Sequence, residues 1–126
     1  MTIVCDEHIP FLRGALEPYA DVVYAPGNEI GPDMIRNADA LIVRTRTKCN
    51  ESLLKGSKVR FVATATIGYD HIDQDYCYQA GIHWTSCAGC NAQAVCDYVD
   101  EAISSIKSDK IDTLPLTIGI VGYGHV

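Results

Sequence analysis

Phe61-Val62-Ala63-Thr64-Ala65-Thr66-Ile67-Gly68-Tyr69-Asp70-His71-Ile72-Asp73 is the stretch on which the reading of this chain turns. It opens as a short apolar run, the pattern of a strand buried on both faces of a parallel sheet. It then alternates hydroxyls at Thr64 and Thr66, reaches Gly68, and closes on Asp70-His71-Ile72-Asp73. Gly68 can take a positive φ, which would let the backbone curl so that successive N–H groups converge. A buried strand delivering such a loop at its carboxyl end is how open α/β sheets hold a small anion. The same residues also read as a plain strand–turn–helix, with Asp70 or Asp73 capping the helix that follows.

Working outward, strands and helices alternate along the chain. Thr2–Cys5, Asp21–Ala25, Ala40–Val43 and Ile82–Thr85 read as further strands. Between them, a helix is expected from Pro10 through Tyr19, where Ile9, Leu12, Leu16 and Tyr19 make a helical stripe. Short helices are expected at Pro32–Asn37, from Asn50 or Ser52 to Gly56, and at Gln74–Ala80 with Gly81 at its end. Asn91 then starts a longer helix with Val95, Tyr98, Val99, Ala102, Ile103 and Ile106 on one face. This alternation predicts an α/β fold with a flavodoxin-like, doubly wound parallel sheet.

The second polar loop at a strand end is Arg44-Thr45-Arg46-Thr47-Lys48. With Lys55, Lys58 and Arg60 it gathers six of the ten basic residues into one segment of a chain whose net charge is −6. An acidic chain of this kind is a poor partner for nucleic acid or an anionic membrane, and neither is expected. A local basic patch within it suits a small anionic ligand. No run approaches the roughly 18 apolar residues of a membrane span, and Met1–Pro10 lacks the apolar core of a secretory leader. The six cysteines have no framework spacing in a chain that is 48% hydrophobic, so free thiols, no bound metal and a reducing cytoplasm are expected.

After a polar stretch, 108–114, and Pro115, the run Leu116-Thr117-Ile118-Gly119-Ile120-Val121 reads as a new strand leading straight into Gly122-Tyr123-Gly124-His125-Val126. A strand running into G-x-G opens a phosphate cradle of the dinucleotide-binding type, whose third glycine and helix are expected beyond residue 126. The expected organisation is therefore a substrate-binding domain with its connecting helix over 1–107. Residues 108–126 are then a linker and the first strand of a truncated Rossmann domain.

Taken together, several segments resemble the D-2-hydroxyacid dehydrogenase superfamily: Asp6-Glu7 with Pro10, Ala38-Asp39-Ala40-Leu41, Val43-Arg44 with Thr47-Lys48, and Asn50-Glu51-Ser52-Leu53-Leu54. Ala63-Thr64-Ala65-Thr66 with Gly68 and Asp70-His71, Gly89-Cys90-Asn91-Ala92, and Thr117–Gly122 complete the likeness. The resemblance implies NAD as cofactor, a phosphorylated hydroxy acid as substrate, and a homodimer. It implies that Thr45 and Thr66 hold the substrate, with Arg44, Lys48 and Gly68 as further contacts. Gly122, Gly124, His125 and Val126 would form the pyrophosphate turn. The catalytic arginine, glutamate and histidine would lie downstream of Val126, so this chain by itself is expected to be inactive. None of His8, His71, His83 and His125 matches a catalytic position, and each is expected to be a loop or capping residue.

Three other readings stand beside this one. Another branch of the same superfamily would act on a different hydroxy acid. Cys87-Ala88-Gly89-Cys90 is a C-x-x-C at a strand end and helix start, the placement of a thiol oxidoreductase. A non-enzymatic binding module is the third, and half a nucleotide cradle would be of no use to it.

Overall fold

Ile3, Val4 and Cys5 are buried at the centre of β1 (Thr2–Asp6). The coordinates are a computed structural model describing residues 1–108 and 117–122. Four further strands follow: β2 (Asp21–Ala25), β3 (Ala40–Val43), β4 (Phe61–Thr64) and β5 (His83–Ser86). All pair in parallel, in the order β2-β1-β3-β4-β5, which is the flavodoxin-like arrangement. Because the strands point one way, the segments leaving β1, β3 and β4 emerge on a single edge. Within β4 the side chains of Val62 and Thr64 are buried, whereas Phe61, expected inside, is 41% exposed at the strand's start.

Three short helices cover one face. α1 (Pro32–Ile35) begins on a proline, whose fixed φ suits a first helical turn and whose missing N–H costs nothing there. α2 (Glu51–Leu54) is capped by Asn50, whose side chain accepts from Leu53 N at 3.2 Å. α3 (Gln74–Gln79) is capped by Asp73, which accepts from Tyr76 N at 2.9 Å, and Gly81 follows it at φ 68°. Ile35, Leu53, Leu54 and Cys77 from these helices pack on Val4, Leu41, Val43 and Val62 of the sheet.

The helix expected from Pro10 is absent, and residues 7–20 form a series of turns. Phe11 at φ 61° and Gly14 at φ 88° leave the right-handed region, which no continuous helix tolerates. The Glu17 carboxylate accepts the N–H groups of Gly14 at 2.8 Å and Leu16 at 3.2 Å, which would otherwise need helical carbonyls. The apolar stripe still does half of what its spacing suggested. Leu12 and Leu16 pack on Ile3, Cys5 and Ala40 on the second face of the sheet, while Tyr19 stays exposed.

The chain divides into two units, Met1–Cys87 and Ala88–Val126. The second contains α4 (Ala92–Ser108), where Val95 and Ile103 are half-buried and Tyr98, Val99 and Ile106 are exposed. Residues 117–122 form neither strand nor helix, so the strand expected over 116–121 is not formed there; Leu116 lies outside the described residues. A strand exists only through the ladder bonds of a neighbour, and sequence periodicity cannot supply one. Among the described residues, no helix is long and apolar enough to cross a membrane.

Candidate substrate-side site

The loops that leave β3 and β4 are stitched together by the backbone. Cys49 N donates to His71 O at 2.8 Å, and Asp73 N donates to Cys49 O at 2.9 Å, forming an isolated parallel bridge between Cys49 and Ile72. Thr66 is anchored further by Cys87 N, which donates to its carbonyl at 3.3 Å. Tyr69 lies against Trp84 of β5 with ring centroids 5.1 Å apart. Thr45 and Thr66 follow adjacent parallel strands and so lie beyond the same edge of the sheet, since β3 and β4 pair directly.

Thr45, Gly68, Asp70 and His71 line a cleft of about 260 Å³ between the two loops. Two of these lining residues, Gly68 and His71, are the ends of a chain of side-chain hydrogen bonds. His71 Nε2 lies 3.0 Å from Thr64 Oγ1, Thr64 Oγ1 lies 2.7 Å from Thr66 Oγ1, and Thr66 Oγ1 donates to Gly68 O at 3.0 Å. Burial pushes the His71 imidazole below its ordinary value, with the Asp70 carboxylate opposing that shift. His71, expected only to be a loop or capping residue, thus lines this cleft and takes part in that chain. The cap of α3 is Asp73, which resolves the choice between it and Asp70.

Gly68 does not use the positive φ open to a glycine. The turn is closed instead by the Thr66 hydroxyl on the Gly68 carbonyl, and no atom lies within 4 Å of where a Cβ would stand. The glycine leaves open space in the cleft wall and relieves no strain.

Arg44 and Lys48 are not brought to this cleft. Arg44 donates to the His8 carbonyl at 3.3 Å and, with Asp6, His8, Gly27, Asn28 and Arg46, lines a second cleft of about 370 Å³. That cleft sits where β1, β2 and β3 end, at the point where the strand order reverses and open α/β sheets commonly bind ligands. Lys48 lines a third, adjoining cleft of about 340 Å³ together with Arg46, Asn28, Pro32 and Ser52. Side chains on either side of β3 diverge, so neighbours in sequence serve different cavities.

Sequence reasoning missed the contacts of Thr47 and Asp6, each 2% exposed, and read Thr64, equally buried, only as one of a pair of hydroxyls with Thr66. Thr47 Oγ1 donates to Gly27 O at 2.8 Å, holding the second polar loop against the end of β2. The alternation Thr64-Ala65-Thr66 was the available signal for Thr64, because residues two apart on an extended chain share a side. Of the residues expected at the cofactor, Gly122 has a φ of 95° and open space around its Cβ position, which leaves room for a close backbone contact. Gly124, His125 and Val126 lie outside the described residues. Among the described residues, no group of three or more histidine, cysteine, aspartate or glutamate side chains is placed to hold a metal.

The family model for the D-isomer specific 2-hydroxyacid dehydrogenase catalytic domain matches residues 2–120. The chain belongs to the D-isomer specific 2-hydroxyacid dehydrogenases. It is 50% identical to erythronate-4-phosphate dehydrogenase of Bacteroides fragilis over 128 aligned positions, covering 100% of this chain and 37% of that protein. This member of the family therefore spans 37% of the length of that curated relative. NAD+-bound 3-phosphoglycerate dehydrogenase of Entamoeba histolytica superposes with a TM-score of 0.62 at 29% identity, over 82% of this chain and 38% of that one. D-lactate dehydrogenase of Aquifex aeolicus, complexed with NAD and lactic acid, superposes with a TM-score of 0.65 at 21% identity, over 93% and 39%. At that identity the second likeness concerns the fold alone. Family membership takes the place of the thiol oxidoreductase and isolated-module readings.

Proposed function

We propose that this chain is the substrate-binding part of an NAD-dependent enzyme that oxidises 4-phosphoerythronate to the 2-oxo acid on the route to pyridoxal 5'-phosphate. The observation that carries this reading is the 50% identity to an erythronate-4-phosphate dehydrogenase sustained across the whole chain. The two hydroxyl-bearing loops at the ends of β3 and β4 fall inside that match. In this reading Thr45 and Thr66 contact the substrate, Gly68 lets it approach closely, and Arg44 and Lys48 supply positive potential from the neighbouring clefts. Residues 108–126 are the linker and opening of the cofactor domain, with Gly122, Gly124, His125 and Val126 at the pyrophosphate. The protein is cytoplasmic and homodimeric.

Chemically, the substrate's 2-hydroxyl loses a proton while a hydride leaves the adjacent carbon, and NAD, when bound, supplies the hydride acceptor. The side chains of this chain hold and orient the anionic substrate and exclude water from it. The residues that move the proton belong to another part of the protein. A relative acting on 3-phosphoglycerate is the closest rival, since that substrate is also a phosphorylated 2-hydroxy acid.

The test is a pair of steady-state assays on the full-length enzyme, following NADH from 4-phosphoerythronate and from 3-phosphoglycerate. A kcat/KM favouring 4-phosphoerythronate, with KM raised in Thr45→Ala and Thr66→Ala variants, is the expected result. Preference for 3-phosphoglycerate would give the assignment to the rival.

A further inference from the structure

We propose that His71 is a positioning residue for the Thr66 hydroxyl, acting through Thr64, so that the three side chains form a one-way line of donors aimed at an anionic ligand oxygen. The inference rests on the reading that Thr66 touches the substrate, and adds to it what aims that hydroxyl.

The direction of the line follows from counting protons. A threonine hydroxyl has one hydrogen to give, and a backbone carbonyl has none. Thr66 therefore spends its hydrogen on Gly68 O, 3.0 Å away. The 2.7 Å contact between Thr64 Oγ1 and Thr66 Oγ1 must then be donated by Thr64. With that hydrogen spent, the 3.0 Å contact to His71 must be donated by Nε2. The sequence of donations is His71 to Thr64 to Thr66 to Gly68 O, and the neutral imidazole is the tautomer with hydrogen on Nε2.

The two upstream members are fixed by the fold, and only the last is free to turn. Thr64 closes β4, is 2% exposed and lies in register between Val43 and Ser86. His71 is held through its carbonyl by Cys49 N at 2.8 Å, next to the bridge at Ile72. Thr66 lies beyond the strand, partly exposed, and its acceptor is the carbonyl of Gly68, a residue that lines the cleft. An anionic oxygen arriving there competes with that carbonyl for the single Thr66 hydrogen. The exchange of acceptors leaves the upstream bonds intact. A hydroxyl that already accepts from another hydroxyl is polarised toward giving its own hydrogen, and a charged acceptor strengthens the bond further. Without Thr64 and His71, the Thr66 hydroxyl loses the accepted hydrogen bond that polarises it toward giving its own hydrogen.

The experiment compares variants in the full-length enzyme, with 4-phosphoerythronate as substrate and folding checked by circular dichroism. Thr64→Val and His71→Leu each interrupt the line and should raise KM by about three- to tenfold, the effect of one weakened hydrogen bond. The double variant should be no worse than either single one, because the line is already broken. His71→Gln, whose amide NH₂ can stand in for Nε2–H, should stay within about twofold of the unsubstituted enzyme. A merely space-filling imidazole would be replaced better by leucine than by glutamine. Thr66→Val separates the two levels of the argument. If it raises KM while Thr64→Val and His71→Leu do not, the line is overturned and the substrate reading stands. If Thr66→Val changes nothing, the substrate reading falls, and the ligand end of the line with it. Independently of activity, ¹⁵N spectra of histidine-labelled enzyme, assigned with the His71→Gln variant, should show hydrogen on Nε2. Hydrogen on Nδ1 of the neutral ring would overturn the proposal.

Discussion

Gly27 packs so tightly on Asp6 that a Cβ at position 27 would fall 2.5 Å from the Asp6 Oδ2 carboxylate oxygen and 3.1 Å from Thr47 Oγ1. Neither neighbour can retreat easily. Asp6 is 2% exposed and holds His8 N at 2.9 Å, and Thr47 Oγ1 is bonded to the Gly27 carbonyl. The Gly27→Ala variant should therefore lose about 1–3 kcal/mol of stability, the usual cost of overpacking a fixed site. Urea unfolding followed by circular dichroism checks this, and an unchanged midpoint would show that the junction of β1, β2 and β3 is softer than its contacts imply.

Gly68 provides the contrast. A methyl group there meets nothing within 4 Å, and its φ is not positive. Gly68→Ala should leave stability within about 0.5 kcal/mol, as for ordinary surface changes. Because Gly68 lines the cleft with Thr45 and His71, the same methyl should raise KM in the full-length enzyme. A destabilised variant with unaltered KM would reverse both parts of this expectation.

These two glycines show where the sequence was legible and where it was not. The parallel sheet could be read because Ala40-Leu41-Ile42-Val43 and Phe61-Val62-Ala63 are local apolar patterns bounded by turn residues. The helix from Pro10 could not be excluded, because its stripe is real and only the dihedrals of Phe11 and Gly14 break it. Thr45 and Thr66 could be placed on one rim from strand direction alone. The separation of Arg44 and Lys48 into other clefts depends on side-chain direction around β3, which residue order does not encode. The partnership of Asp6 with Gly27 joins residues 21 positions apart and leaves no periodic trace.

The cysteines should divide by accessibility. Cys49 is buried and pushed up to about 12 by desolvation, with Cys77 adding to the effect, and Cys5 is pushed up to about 11 by burial and then by Glu17. Cys77 is raised for the same first reason, with Asp73 second. The thiolate is the reactive form, so these three should resist labelling in the native protein. Cys87, Cys90 and Cys96 are exposed. Ellman's reagent at pH 8 should therefore react quickly with three equivalents and with all six only after denaturation. Rapid reaction of more than three would show that the core opens readily.

Stability should fall on mild acidification through His71. Its folded pKa lies below the unfolded value because burial disfavours the imidazolium, with Asp70 opposing. The unfolded chain thus binds more protons between the two values, and stability rises with pH across that window. The contribution is fully present above the ordinary histidine value of about 6.5 and is lost as pH falls through the folded value. Melting temperatures recorded from pH 8 to 5 should decline less in His71→Gln than in the unsubstituted chain. Parallel curves would mean that this histidine does not couple to folding.

The final expectation concerns the second unit. Ile118 is 53% exposed, Ile120 81% and Val121 104%, and Val99, Tyr98 and Ile106 on α4 are also open to solvent. Val95, Cys96, Val99 and Ile120 border an apolar hollow of about 330 Å³. Each large apolar side chain left in water forgoes roughly 1.5–3 kcal/mol that burial would return. A surface of this composition is the kind through which chains associate. The 126-residue polypeptide should therefore bind a hydrophobic dye and show a sedimentation coefficient that rises with concentration. Ile120→Asp and Val99→Asp change two exposed positions at the rim of the hollow and should weaken both signals while leaving the β1–β5 sheet intact. Each introduced carboxylate would have to be desolvated on association, which is costly. A chain that stays monomeric at every concentration and binds no dye would show that this apolar surface is not open in solution.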